Sequence, residues 1–143
     1  MGSPFVIEHR IPWSDVDLAK LVYFPRYFSY FEMAELEWIR QHGLSYEKLL
    51  EELDVWMPRV AAHANYRSPA RLADLIAIEM RLGRLGHSSF TLGFDALLLP
   101  GRKPVADGYI VIATVRRSSY RPTRVPEKLR ALLAELEMRT VPS

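Results

Sequence analysis

The segment RYFSYFEMAELEWIRQ, Arg26–Gln41, limits what this chain can fold into more than any other stretch. Its polar residues Arg26, Ser29, Glu32, Glu35, Glu37 and Arg40 read as one stripe. Nearly everything else is large and apolar: Tyr27, Phe28, Tyr30, Phe31, Leu36, Trp38 and Ile39. Pro25 suits a first helical turn, where a missing N–H costs nothing. Gly43 suits the residue just past a helix, and His42 suits the negative end. The segment therefore reads as a helix of about 16 residues, about 24 Å long at 1.5 Å per residue. Its apolar arc is wider than a surface helix needs, so the helix is expected to be enclosed on most sides.

The rest of the chain reads as the enclosure. Phe5–Ile11 alternates, with Phe5, Ile7, His9 and Ile11 on one side and Val6, Glu8 and Arg10 on the other, as a strand does. Arg59–Arg67, Leu75–Arg84, Ser88–Leu99 and Val105–Arg117 also read as strands, broken at Ser68-Pro69, Gly86 and the run Pro100–Pro104. The last three are joined as hairpins and are therefore antiparallel. Several exceed the usual strand length, which implies a long, curved sheet. Ser45–Leu53 reads as a second short helix. Pro126–Met138 reads as a final amphipathic one, with Leu129, Leu132, Leu133 and Leu136 inward. The order β-α-α-β-β-β-β-α over residues 1–143 suggests one α+β domain, the long helix lying across one face of an antiparallel sheet. The other face also carries apolar residues, so an oligomer is expected.

Several function classes drop out. With no cysteine in 143 residues there is no disulfide, no thiolate nucleophile and no cysteine metal site. The net charge of +2 argues for no nucleic-acid partner. No segment approaches the ~18 apolar residues of a membrane span, and no secretory leader is apparent, so a cytoplasmic protein is expected.

The acids Asp15 and Asp17 stand just before an apolar, aromatic run, 13-WSDVDLAKLVYFPRYFSYFE-32. Either one organises the turn, or one reacts. Asp17 lies too far from Pro25 to be the helix N-cap, and no accompanying ligand set suggests a metal. The first amides of the helix, near Phe24 to Arg26, carry the positive dipole end and would polarise a carbonyl aimed at them. The four histidines share no ligand spacing, and there is no G-x-S-x-G elbow. His63 reads as a core histidine on its strand. The basic cluster Arg116, Arg117, Arg121, Arg124, Lys128 and Arg130 reads either as a solvated face or as a phosphate contact.

The stretch D-V-D-L-A-K-L-V-Y-F-P-R-Y-F-S-Y-F-E resembles the active-site segment of hotdog-fold acyl-CoA thioesterases, above all the 4-hydroxybenzoyl-CoA thioesterase branch. Three further segments, 64-ANYRSPARLADLIAIE-79, 82-LGRLGHSSFTLGFDALL-98 and 125-VPEKLRALL-133, match the family in order and spacing. The resemblance implies the hotdog fold, a curved antiparallel sheet wrapped around the central helix. It implies homodimers, often paired as homotetramers, acting on acyl-CoA with no cofactor beyond the coenzyme A of the substrate itself. In the matching positions Asp17 is the catalytic carboxylate, as nucleophile or general base, and the amide near Phe24 is the oxyanion donor. Tyr23, Pro25, Phe28, His63, Ser88 and Ser89 would line the substrate. Arg84, His87, Arg116 and Arg117 would contact the CoA phosphates. Asp15, Lys20 and Glu32 would support the reacting groups from behind.

Two positions depart from the family pattern. Ala19-Lys20 stands where a glycine is usual, putting a charge beside Asp17 that would depress its pKa or touch a polar substrate. Gly86-His87-Ser88-Ser89 stands where benzoyl-type enzymes carry basic residues. A lone carboxylate with an oxyanion donor suffices to attack a thioester, and the aromatic loop and helix would supply dry walls. A non-catalytic acyl-thioester-binding module and a hotdog dehydratase or hydratase are the competing readings. The second normally places a histidine near the helix acid, and residues 24–41 contain none.

Overall fold

The computed structural model describes residues 2–141; Met1 and residues 142–143, the ends of the expected domain, lie outside the described residues. Strand β1 (Phe5–Arg10) is followed by helices α1 (Arg26–Gln41) and α2 (Tyr46–Leu53) and a short strand β2 (Val55–Trp56). Then come β3 (Arg59–Tyr66), β4 (Leu75–Leu85), β5 (Ser89–Leu98), β6 (Lys103–Ala113), a short β7 (Val115–Arg116) and helix α3 (Glu127–Leu133). The main sheet is antiparallel, in the order β1-β4-β5-β6-β3. Strand β3 therefore pairs with the last long strand and not with its sequence neighbour. This is the hotdog architecture, with α1 laid across the sheet.

Alternation explains the packing. Ile76, Ile78, Met80 and Leu82 of β4 turn to the helix side, in register with Ala96, Phe94 and Leu92 of β5. Phe31 of α1 stacks on Phe94, ring centroids 4.6 Å apart and 9° from parallel. Gly108 on β6 has to be glycine: a Cβ there would stand 2.1 Å from the His63 carbonyl oxygen of β3.

Four expectations need correction. Helix α1 is not enclosed on most sides, since Met33 and Leu36 face solvent. Nor is its polar stripe uniform. Glu35 is buried, and its carboxylate accepts a hydrogen bond from Arg59 at 2.8 Å, with the Tyr46 hydroxyl also on Arg59 at 2.9 Å. The last helix is only about half as long as its periodicity suggested. After Leu133 the chain turns, and residues 137–139 run beside Leu82, exchanging two backbone hydrogen bonds with it at 3.0 and 2.9 Å. Strand β1 pairs with β4 only as far as Met80, so the flank of β4 at Leu82 would otherwise be unpaired, and residues 137–139 fill it. The long Val105–Arg117 strand breaks at buried Thr114, whose hydroxyl donates to the Thr123 carbonyl at 2.7 Å; beyond it β7 pairs with β2 instead.

The sheet face away from α1 is mainly ionic rather than apolar. Arg81 reaches Glu79 at 3.1 Å and Asp95 at 3.0 Å and also bonds Glu137; Arg102 reaches Glu79 at 2.8 Å, and Arg139 bonds Asp95. Burial works against the charge on Glu79, but Arg102 and Arg81 outweigh it and hold its carboxyl below the usual range. Val141 packs over this face against Gly83 and Gly93, where a Cβ would stand 3.0 and 2.9 Å from its side chain.

Candidate active site

The segment from Trp13 to Pro25 is a loop with no regular element longer than one turn, yet most of its backbone N–H groups are hydrogen-bonded. Residues 16–22 form a hairpin. Asp17 N–H donates to the Leu21 carbonyl at 2.8 Å, and Lys20 N–H donates to the Asp17 carbonyl at 2.9 Å. That is the pattern of a three-residue loop closed by a residue in the left-handed region, and Lys20 has φ 62°. Glycine is the ordinary occupant of such a site, which gives Lys20 a backbone explanation. Replacing Lys20 with Gly should raise stability by about 0.5–1 kcal/mol, and Lys20→Val should lower it by more than about 1 kcal/mol. Urea unfolding midpoints check both.

The hairpin is pinned to the main body on two sides. Val22 N–H donates to the Ala70 carbonyl at 2.9 Å, and Leu72 N–H donates to the Lys20 carbonyl at 3.2 Å. Asp15 anchors the other side. Its carbonyl accepts the Tyr23 N–H at 2.8 Å, and its half-buried carboxylate accepts the Tyr30 hydroxyl at 2.9 Å. Burial and then the Asp15 hydrogen bond push the Tyr30 hydroxyl pKa far up, so it serves as a fixed donor. His9 and Arg26 also approach the Asp15 carboxylate, each at 3.8 Å. The His9 Nε2 is buried with no hydrogen-bond partner among the described residues. Neither residue was singled out in the sequence.

Of the groups that this frame leaves without a hydrogen-bond partner among the described residues, the Leu18 N–H among them, two belong to residues that line one cavity. One carboxylate oxygen of Asp17 is committed to the turn, accepting the Ala19 N–H at 2.8 Å and the Leu21 N–H at 3.3 Å; the other has no protein partner. At the helix start, Arg26 N–H donates to the Tyr23 carbonyl at 2.8 Å and Pro25 has no N–H. The expected set of free amides at residues 24–26 therefore narrows to one, that of Phe24. Asp17 and Phe24 line the same cavity of about 270 Å³, together with Leu21, Val22, Tyr27, Tyr66, Arg67 and Ser68. A second depression of about 550 Å³ lies across Asp17, bounded by Trp13, Leu18, Lys20 and Tyr23. Burial pushes the Tyr27 hydroxyl up to about 12, so it is neutral at physiological pH.

The other expected site residues divide. Tyr23 and Lys20 sit beside Asp17, and Pro25 is the half-buried residue that starts the helix. Phe28 turns toward the core, its ring 5.9 Å from that of Phe31, and does not line the Asp17 cavity. Glu32 is exposed on α1; the buried acid of that helix is Glu35. His63 is exposed, contrary to the expected core position, because it lies on the sheet face away from α1. Its ring stacks on Tyr109, and its Nε2 lies 3.1 Å from the Asn65 side-chain oxygen. Asn65 bonds Asp107, which holds Arg67, so His63 touches the Asp17 cavity only through that chain.

Arg84, His87, Ser88, Ser89, Arg116 and Arg117 are not brought to Asp17 within the chain. They gather where β4 ends and β7 begins, whereas the Asp17 loop packs where β4 starts. The 11 residues of β4 separate the two by about 33 Å at 3 Å or so per residue. Arg117 lies over the Trp56 ring at 4.1 Å, and the His87 carbonyl accepts the Val125 N–H at 2.8 Å. Arg130, Lys128 and Arg124 of the basic cluster are bonded to the Gly86 carbonyl, Glu52 and Glu127. Tyr66, Arg67 and Ser68 line the Asp17 cavity but were not among the expected site residues.

Comparison with known proteins is consistent along the whole chain. Residues 11–133 match the model of the Thioesterase-like superfamily. The chain is 24% identical over 137 residues to acyl-CoA thioesterase YbgC of Haemophilus influenzae, covering 96% of this chain and 99% of that protein. It is 26% identical over 126 residues to a 1,4-dihydroxy-2-naphthoyl-CoA hydrolase of Synechococcus, covering 85% and 83%. The crystal structure of a 1,4-dihydroxy-2-naphthoyl-CoA thioesterase from Synechocystis superposes with a TM-score of 0.86 at 17% identity, covering 93% and 97%. At that identity the likeness establishes the fold.

Proposed function

The chain belongs to the Thioesterase-like superfamily as a hotdog-fold thioester hydrolase, and from that premise we propose that it cleaves acyl-CoA to a free acid and coenzyme A through Asp17 and the Phe24 amide. The thioester carbonyl sits in the 270 Å³ cavity with its oxygen toward the Phe24 N–H. The unpartnered oxygen of Asp17 either attacks the carbonyl carbon or takes a proton from the water that does. The Phe24 amide, at the positive end of α1, holds the oxyanion that forms. The C–S bond then breaks, the sulfur leaves as thiolate and is protonated, and water supplies the new oxygen of the acid. In the nucleophilic route that water hydrolyses an acyl–Asp17 anhydride. No cofactor besides the coenzyme A of the substrate enters these steps.

The observation that carries this reading is that two residues lining one cavity each keep, among the described residues, an unpartnered group, a carboxylate oxygen on Asp17 and the backbone amide of Phe24. The surroundings support a homodimer as the working unit. Trp13, Leu18 and Phe24 around Asp17 are 80%, 105% and 59% exposed, a patch too apolar to be left in water. Strand β3 is an edge strand with Val60 also exposed. In such a dimer, paired further into a tetramer, Arg84, His87, Arg116 and Arg117 of one protomer would serve the nucleotide end of a substrate held at Asp17 of the other. Incubating the protein with aryl- and alkyl-CoA esters and identifying the products by mass spectrometry tests the reading. Free acid and CoA are expected; recovery of every ester intact would overturn it.

A further inference from the structure

Tyr66 ends β3, and its side chain leaves the sheet toward the start of α1. Its hydroxyl donates to the Phe24 carbonyl at 3.2 Å. Its ring meets the Phe24 ring edge-on, centroids 6.0 Å apart at 83°, and lies 5.8 Å from the Tyr27 ring. Phe24 belongs to neither the hairpin nor the helix. Its carbonyl otherwise accepts only a long bond from the Tyr27 amide, at 3.4 Å. On its other side, the Tyr23 N–H is fixed to the Asp15 carbonyl at 2.8 Å. The peptide unit that carries the Phe24 N–H is held through its own Tyr23 carbonyl by the Arg26 N–H at 2.8 Å, and the next unit, through the Phe24 carbonyl, has Tyr66 as its one side-chain partner, so Tyr66 fixes the turn of the chain at Phe24.

We propose that Tyr66 is a positioning residue for thioester hydrolysis, its hydroxyl holding the Phe24 backbone so that the amide points into the Asp17 cavity. This rests on the reading that the Phe24 amide receives the oxyanion. An oxyanion donor lowers the barrier only if it is aimed before the charge develops. The 3.2 Å contact is long for a hydroxyl donor, as catalytic contacts often are before substrate binds. The ring contacts keep Tyr66 in place with or without that bond.

The test is Tyr66→Phe, which keeps both ring contacts and deletes only the donor. Because the oxyanion exists only in the transition state, the loss should fall on kcat, by about fivefold, the size of one ordinary hydrogen bond. KM should stay within about twofold and the thermal midpoint within about 2 °C. The kcat ratio should also be the same for aryl and alkyl esters, since the same carbonyl reacts in each. A wild-type kcat in Tyr66→Phe, a loss confined to KM, or a ratio that changes with the acyl group would overturn the assignment. If the wild-type protein hydrolyses no ester, the proposed function fails and Tyr66 with it. If it does and Tyr66→Phe matches it, the Tyr66 assignment alone fails.

Discussion

Asp17→Asn is expected to lower CoA release by about a thousandfold while leaving the thermal midpoint within about 2 °C. The two halves of that result have separate causes. The side-chain oxygen of Asn can still accept the Ala19 and Leu21 N–H groups that close the turn, so the loop keeps its shape. The second oxygen becomes an NH2 group, which neither attacks a carbonyl nor takes a proton from water. Asp17→Ala, by contrast, leaves both amides without their acceptor and should also destabilise the protein by about 1 kcal/mol. Steady-state kinetics and circular-dichroism melts on the two variants separate chemistry from turn support.

The second large effect is on stability and lies at the buried pair Glu35–Arg59. Arg59→Ala should cost about 2–3 kcal/mol at neutral pH, toward the low side for a broken buried pair because Arg59 keeps about a third of its surface in water. Burial pushes the Glu35 carboxyl above its ordinary value even though the charge and hydrogen bond of Arg59 pull it down. Without Arg59 it climbs further. A carboxyl with a raised pKa in the folded state contributes stability fully below its unfolded value and loses it as pH rises through the folded one. The variant should therefore lose more stability at pH 8 than at pH 5, and Glu35→Gln in the same background should remove that difference. Urea unfolding at the two pH values measures it; equal losses at both would contradict the burial argument.

Much of the fold is legible because local signals are unambiguous where they matter. Pro25 and Gly43 bracket α1 at the observed ends, and Gly43 has the left-handed φ of 79° that a helix end favours. Strand β1 follows its alternation, and β3, β4 and β5 lie between the breaks at Ser68-Pro69, Gly86 and Pro100–Pro104. The misses come where distant partners decide. Leu129, Leu132, Leu133 and Leu136 are spaced as a helix, yet β4 recruits the following residues as an edge partner. Glu35 sits in a polar stripe by sequence, but Arg59, 24 residues away, gives it a buried partner. Asp17 and Phe24 are close in sequence, so one motif names both. Tyr66 is 42 residues from Phe24 and reaches it only because β3 lies at the sheet edge beside β6. The grouping of Arg84, His87 and Ser88 with Asp17 follows from family resemblance, and within the chain the length of β4 holds them apart.

The most direct measurement is thiol release from a panel of aryl- and alkyl-CoA esters, followed with a thiol-reactive dye beside the Asp17→Asn variant. The protein has no cysteine, so every thiol detected is released coenzyme A. Steady release by the wild-type protein from at least one ester, with almost none from the variant at the same substrate affinity, is the predicted result. Acyl-CoA that binds to the wild-type protein but is not cleaved, or release that continues unchanged in Asp17→Asn, would contradict it.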